Sequence, residues 1–308
     1  MSDEVKKNAQ ASVLAPYLAG PVARSIGGAI GGVMEAMCLQ PIDTVKTRLQ
    51  LDKVGKYTSI PGTFRTIAEE EGVRALWKGL TPFATHLFFK YALRFGSNAF
   101  FESLLRKEDG TLPHTSRALA GLGAGITEAL VIVTPFEVVK ISLQKQIGMS
   151  KENLKYKGPI HCAATIVRAE GPLGLWKGAT PTMFRNGTNQ MSLFYTKPLI
   201  DGLVWDKHDG DGKDLLVWQS LVSGLLAGSM GPIASGPFDL IKTRLMAQEK
   251  SGTIKYKGLL DALVKIPREE GFFAMWRGLL PRLMRIPPGQ AIVWMVRDQV
   301  VQYIEKDR

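Results

Sequence analysis

The sequence predicts an all-α membrane protein: six transmembrane helices in three repeats with threefold pseudosymmetry, each repeat carrying a short amphipathic helix. Two repeated blocks and one pattern of small residues predict it. The first block, Pro41-Ile42-Asp43-Thr44-Val45-Lys46-Thr47-Arg48, returns as Pro135-Phe136-Glu137-Val138-Val139-Lys140 and as Pro237-Phe238-Asp239-Leu240-Ile241-Lys242-Thr243-Arg244. The second, Glu71-Gly72 through Trp77-Lys78-Gly79, returns as Glu170-Gly171 through Trp176-Lys177-Gly178 and as Glu270-Gly271 through Trp276-Arg277-Gly278. Both recur in register with a period of about a hundred residues, which chance does not supply three times. The repeats are placed at 20–112, 113–213 and 214–308, after an N-terminal tail 1–19.

Each repeat opens with an apolar run in which glycines lie four apart: Gly28 and Gly32, Gly121 and Gly125, Gly224 and Gly228. That spacing lets membrane helices approach closely. The run reaches the block's proline, which removes a backbone donor and kinks the axis. In lipid such a kink survives only where another group satisfies the freed carbonyl. The glycines of the second repeat lie one residue further from Pro135 than their counterparts do from Pro41 and Pro237. A local helix distortion is therefore expected there. A short amphipathic helix follows, near 62–70, 159–169 and 258–269, too brief and too charged to span a bilayer. The second long run of each repeat spans 80–105, 180–204 and 279–304, and in the last of these a helix break is expected at Pro287-Pro288-Gly289.

None of the six runs is a clean block of about twenty apolar residues. Helices polar along one stripe and apolar elsewhere fit a bundle around a wet cavity, because ionisable groups within a membrane face water or pair. The alternative, a soluble helical solenoid, uses shorter repeats of about 20–45 residues.

Thirty-nine lysines and arginines against 28 acids give a net charge of +11, with a mean hydropathy of +0.01. This balance favours anionic partners. The telling cations sit within apolar runs and not on one polar face interleaved with aromatics, so a small anion is favoured over nucleic acid. Cys38 and Cys162 lie in unlike settings and form neither a disulfide framework nor a metal spacing. The four histidines have no ligand spacing and no phosphate loop is present, so neither an enzyme nor a bound cofactor or metal is expected. Residues 1–10 lack a secretory or transit pattern, which makes any targeting signal internal.

The two blocks together resemble the mitochondrial carrier family, over essentially all of residues 20–305. The resemblance implies a six-helix bundle in the mitochondrial inner membrane, with the short helices on the matrix side, exchanging metabolites by alternating access. It also implies a monomer, with membrane lipid such as cardiolipin at the short helices. By resemblance the acids and lysines of the first block form a matrix gate: Asp43, Lys46, Glu137, Lys140, Asp239 and Lys242. Acid and lysine three apart share a helix face, and a threefold arrangement pairs Asp43 with Lys140, Glu137 with Lys242 and Asp239 with Lys46. Gln50 and Gln144 stand at the family's bracing position, whereas the third repeat has Met246 there, and Ser142 replaces the block's last basic residue in the second repeat. The gate is thus expected to be asymmetric. The family's cytosolic pattern is eroded at Ala99 and Glu102, Pro198 and Asp201, Asp298 and Val301. Closure on that side is assigned to packing around Phe100, Phe101, Tyr195 and Trp294.

Seven residues after the glycine closing each tryptophan block lie His86, Arg185 and Arg285, which resemble the family's three substrate contact points. His86, Lys90 and Arg94 form one helical stripe. Arg185 is followed by Asn186 and Asn189, and Arg282 precedes Arg285 by one turn. Cations crowded into one cavity repel until an anion enters, and arginine holds a carboxylate bidentately. The bland alternative pairs some of them with Glu35 and Glu128. Arg185-Asn186 resembles keto-acid and dicarboxylate members of the family. The wording around Thr188-Asn189-Gln190 and Pro288-Gly289-Gln290-Ala291 is most similar to members exchanging succinate for fumarate. The same cations also suit 2-oxoglutarate, malate, oxaloacetate and citrate, and a proton-leak protein would share the fold.

Overall fold

The computed structural model describes residues 3–51, 59–107, 111–144, 146, 155–208, 211, 213–251 and 255–306. Among these, the regular structure is helical throughout. Within them, each repeat contributes a long helix, a short helix, a 3₁₀ turn and a second long helix. The first repeat holds α1 (Asp3–Leu51), α2 (Ile60–Glu70) and α3 (Leu80–Leu105), with the 3₁₀ turn Val73–Trp77. The second holds α4 (His114–Glu128), α5 (Thr134–Gln144), α6 (Pro159–Glu170) and α7 (Ala179–Trp205), with the turn Pro172–Trp176. The third holds α8 (Val217–Ser251), α9 (Leu259–Glu270) and α10 (Leu279–Lys306), with the turn Phe272–Trp276.

The expected distortion of the second repeat is present: Ala129–Val133 forms a π-helical stretch joining α4 to α5. One wider turn absorbs the extra residue and returns Pro135 to the phase of Pro41 and Pro237. The expected break at Pro287-Pro288-Gly289 is not present, because α10 runs through both prolines. Proline's fixed φ is itself helical, so the helix continues at the cost of the missing donors and of crowding against the preceding turn. Two stretches, Gly20–Leu49 and His114–Leu143, are apolar enough on length and composition alone to cross a membrane. The other long helices interleave apolar residues with charge and proline.

Packing divides the chain into two compact units, Met1–Ala99 with Ile200–Gly228 and Ile286–Arg308, and Phe100–Leu199 with Ser229–Arg285. In the first unit, α1 meets α3 through Gly28 and Gly32, and a methyl at Gly32 would lie 2.8 Å from the Leu87 carbonyl oxygen. In the second, α4 meets α7 through Gly121 and Gly125, where a methyl at Gly121 would lie 2.7 Å from the Gln190 carbonyl oxygen. The small-residue spacing therefore marks close backbone contacts.

One hydrogen bond recurs in all three repeats, from the tryptophan block back to the long helix just ahead of its proline. The indole Nε1 of Trp77 donates to the Met37 carbonyl at 3.0 Å, that of Trp176 to Leu130 at 2.8 Å and that of Trp276 to Ile233 at 2.7 Å. Met37 and Ile233 lie four residues before Pro41 and Pro237, the carbonyls those prolines leave without a backbone donor. Leu130 lies five before Pro135, as the π-helical register requires. The tryptophan is aimed by the glycines around it. Gly72, Gly171 and Gly271 have φ of 83°, 78° and 89°, and Gly79, Gly178 and Gly278 have 86°, 77° and 91°, values that favour glycine. Behind the block, α2 and its 3₁₀ turn bury Ile67, Ala75 and Leu76 against Val45. In the third repeat Ala262, Ile266 and Met275 close on Ile241.

Trp276→Phe keeps the ring and deletes the donor, leaving the Ile233 carbonyl unsatisfied at a cost of about 1–3 kcal/mol. Thermal unfolding in detergent is expected to show a clear fall in Tm for this variant and little change for Trp218→Phe, whose ring is exposed. Equal Tm values for the two variants would contradict the role assigned to the indole N–H.

Candidate functional site

The candidate site of the second unit is built on four helices. Glu137, on the first turn of α5, accepts from Lys242 of α8, from Arg185 Nη2 of α7 at 3.3 Å and from Thr182 Oγ1 at 3.4 Å. Asp239 of α8 accepts from Arg282 of α10 and from Ser235 Oγ at 3.1 Å, while Arg185 Nε lies 3.8 Å from its other oxygen. Arg185 thus stands between the two carboxylates. Ser235 Oγ in turn accepts from Asn189 Nδ2 at 3.4 Å, and Gln190 donates to Asn189 Oδ1 at 3.3 Å. The result is a continuous polar chain from the amides of α7 to both acids. Beside it lies a cavity of about 570 Å³. Lys140, Arg185, Lys242, Arg277 and Arg282 line it against two carboxylates, Glu137 and Asp239, so its walls favour an anion. Two buried donors, Arg185 Nε and Asn186 Nδ2, have no hydrogen-bond partner among the described residues. A buried donor left this way is costly until a ligand oxygen reaches it.

Of the expected gate pairs, Glu137 with Lys242 is formed. The other two, Asp43 with Lys140 and Asp239 with Lys46, each join residues of different units and belong to the proposal below. Asp239 holds Arg282 and Arg185, so two cations expected at the substrate lie on acids of the repeated proline block. The side chains of Gln50 and Gln144 lie outside the described residues, as does that of Met246. Asn186 is buried and Arg285 half-buried; neither lines the cavity.

In the first unit, His86 and Lys90 are half-buried on α3, while Arg94 is only 4% exposed, its guanidinium 4.6 Å above the Tyr91 ring. Glu35 accepts from the Tyr91 hydroxyl at 2.5 Å. Trp294 is buried edge-on against Phe95, with centroids 5.0 Å apart, and Arg297 stacks on both rings. Phe100 and Tyr195 are exposed. Of the aromatics assigned to cytosolic closure, Trp294 is therefore a core residue. Asp298, from the eroded acid pattern, pairs with its neighbour Arg297 at 2.7 Å.

Sequence reasoning missed Thr182, Ser235 and Tyr91. A hydroxyl one turn before an acid on the same helix, as Ser235 is to Asp239, was the available signal for the second of these.

A family profile described as mitochondrial carrier protein matches residues 19–109, 110–208 and 213–308. The chain belongs to the mitochondrial carrier family. It is accordingly a transporter, not an enzyme, and a multi-pass protein of the mitochondrial inner membrane. Among its relatives, mitochondrial succinate-fumarate transporter 1 of Arabidopsis thaliana is 60% identical over 92% of this chain and 93% of its own. The succinate/fumarate mitochondrial transporter of Saccharomyces cerevisiae is 37% identical over 92% of each chain. Tricarboxylate transport protein B of Danio rerio is 34% identical over 91% of this chain and 87% of its own.

Outside the spans, the carrier's glutamate-glycine blocks anchor the short helices by charge. Glu71 is held by Lys78 at 2.5 Å and Arg48 at 3.0 Å, and Glu270 by Arg244 at 2.6 Å. Lys78, then Arg48, hold the Glu71 carboxyl below the ordinary glutamate range, and Arg244 does the same for Glu270. The second repeat has Ser142 where Arg48 and Arg244 stand, and there Glu170 meets Lys177 at 2.7 Å. The folded carrier keeps Glu71 and Glu270 ionised to lower pH than the unfolded chain does. Their stabilisation is complete above the ordinary value of 4.5 and is lost as pH falls through the depressed values. Melting curves should therefore steepen in their pH dependence below about pH 4.5, and the double variant Glu71→Gln with Glu270→Gln should flatten that dependence. An unaltered pH profile in the double variant would remove these carboxyls from the explanation.

Proposed function

We propose that this carrier is an antiporter of dicarboxylates, exchanging succinate for fumarate by alternating access. The observation that carries the reading is the cation-rich cavity in which Arg185 and Arg282 are held by Glu137 and Asp239. The names of the Arabidopsis and yeast relatives support the choice of substrates. A dicarboxylate supplies two carboxylates for arginines that already sit on carboxylates, so its entry replaces one set of ion pairs with another. The acids released are those of the gate. Arg185, Asn186, Asn189, Arg282 and Arg285 contact the substrate, and repeat equivalence adds His86, with Lys90 and Arg94 on the same stripe. The gate consists of Glu137–Lys242 and, by the same equivalence, Asp43–Lys140 and Asp239–Lys46, braced by Gln50 and Gln144. Ion pairs of this kind are worth little when wet and more when dry, which suits contacts broken in every cycle. The carrier works as a monomer, with cardiolipin at its short amphipathic helices. The three repeats, 20–112, 113–213 and 214–308, form one transport domain.

Reconstitution into liposomes tests the reading. Labelled succinate should exchange for internal fumarate without proton conductance, and conductance without exchange would indicate a proton leak instead. The panel includes 2-oxoglutarate, malate, oxaloacetate and citrate, since tricarboxylate transporters are among the relatives. Arg185→Ala and Arg285→Ala should each abolish uptake with the folded fraction unchanged, and retained uptake in either would refute the site assignment. At the gate, Glu137→Lys and Lys242→Glu should each lose activity that the double reversal partly recovers. Full activity in both single variants would remove this pair from the cycle.

A further inference from the structure

In the first unit, three helices meet at a buried hydroxyl that the transport reading leaves unused. Tyr91 of α3 is 2% exposed. Its hydroxyl donates to Glu35 Oε2 of α1 at 2.5 Å and accepts from Gln290 Nε2 of α10 at 3.0 Å. Glu35 and Gln290 are themselves 6% and 7% exposed. Two glycines make the arrangement possible. A methyl at Gly32 would lie 2.5 Å from a Tyr91 ring carbon, and one at Gly289 would lie 2.6 Å from Glu35 Oε1. On the ring lie two cations of the proposed substrate stripe, the Arg94 guanidinium at 4.6 Å and the Lys90 ammonium at 5.6 Å from its centroid.

Each part constrains the next. A phenol that donates to a carboxylate and accepts from an amide has a fixed ring plane, and a charge-assisted bond of this kind is among the stronger ones. Donation to Glu35 enriches the ring in electron density, which favours cations over its face. The ring also fills the volume directly beside Lys90 and Arg94.

The geometry points to Tyr91 as a positioning and specificity-determining residue: held by Glu35 and Gln290, it orients Lys90 and Arg94 and closes the space beside them to anything bulkier than a dicarboxylate. This inference rests on the dicarboxylate reading above.

The test uses purified full-length carrier in liposomes, with succinate, fumarate and citrate as probes and Tm as the check on folding. Tyr91→Phe keeps the volume and loses the hydroxyl. Its KM for succinate should rise about tenfold with the maximal rate changed less than about twofold, as expected when binding geometry is lost. Gln290→Leu should move KM in the same direction. Tyr91→Ala opens the space, and the ratio of citrate to succinate uptake should rise about tenfold or more. Folded Tyr91→Phe and Gln290→Leu carriers with wild-type KM overturn the positioning role, and a folded Tyr91→Ala carrier with the wild-type ratio overturns the specificity role. Should Tyr91→Ala fail to insert, the KM values of the other two variants decide. A wild type that carries neither succinate nor fumarate sinks the dicarboxylate reading, whereas the same comparison on whichever panel acid it does carry still decides the role of Tyr91.

Discussion

The structure depends first on a backbone carbonyl that must not be left bare in lipid. Each repeat places a proline within a long helix, and each proline strips the donor from a carbonyl about one turn earlier. The indole N–H of the repeat's tryptophan fills the vacancy. That requirement explains why a proline and a tryptophan about forty residues apart repeat together: a proline without its tryptophan would carry an unsatisfied group, of which the bilayer tolerates few. It also explains the glycines at positive φ on either side of each tryptophan, which turn the chain sharply enough to bring the ring back to the helix. The π-helical stretch of the second repeat belongs to the same logic. An extra residue ahead of Pro135 shifts the freed carbonyl to Leu130, and Trp176 follows it there.

Electrostatics then uses the frame. In the second unit, three cations share two carboxylates, and Arg185 lies between both acids. Such sharing spreads charge that would be costly to bury singly. It also makes the partnerships exchangeable, because an arginine that faces two carboxylates in turn loses little when a third carboxylate replaces one of them. Ser235 gives Asp239 a hydroxyl donor whichever cation holds it, and Thr182 shares its one hydroxyl proton between Glu137 and the Gly178 carbonyl. A site of fixed, strong pairs would bind but would not cycle.

What was legible in the sequence follows the same division. The helices, the amphipathic segments and the distortion ahead of Pro135 were all readable, because periodicity and spacing register local geometry directly. Glu137 with Lys242 was readable as well, since threefold repetition restricts which acid meets which lysine. The attachment of Arg185 and Arg282 to Glu137 and Asp239 was not, because several acids compete for each cation and only the packed helices decide among them. Arg94 shared its stripe with His86 and Lys90, but helical spacing does not say which member of a stripe a neighbouring aromatic will cover. Pro287 and Pro288 misled for a local reason: their ring geometry obstructs a helix through missing donors and crowding, and a helix end elsewhere would have needed a cap that this stretch lacks.

The three repeats are unequal in a way that the pseudosymmetry conceals. In the first and third, the basic residue closing the signature, Arg48 or Arg244, reaches the glutamate that precedes the positive-φ glycine. This ties the end of the long helix to the tryptophan block. In the second, Ser142 cannot reach in that way, and Glu170 is held from within its own block by Lys177. The second repeat is also the one whose helix contains the π-helical turn and whose α7 carries Arg185, the residue between Glu137 and Asp239. The missing tether therefore falls in the repeat whose arginine bridges the two carboxylates. A missing tether at that corner lowers the cost of moving α5 relative to its tryptophan block, and in the proposed cycle α5 is the helix that carries Glu137 away from its partners.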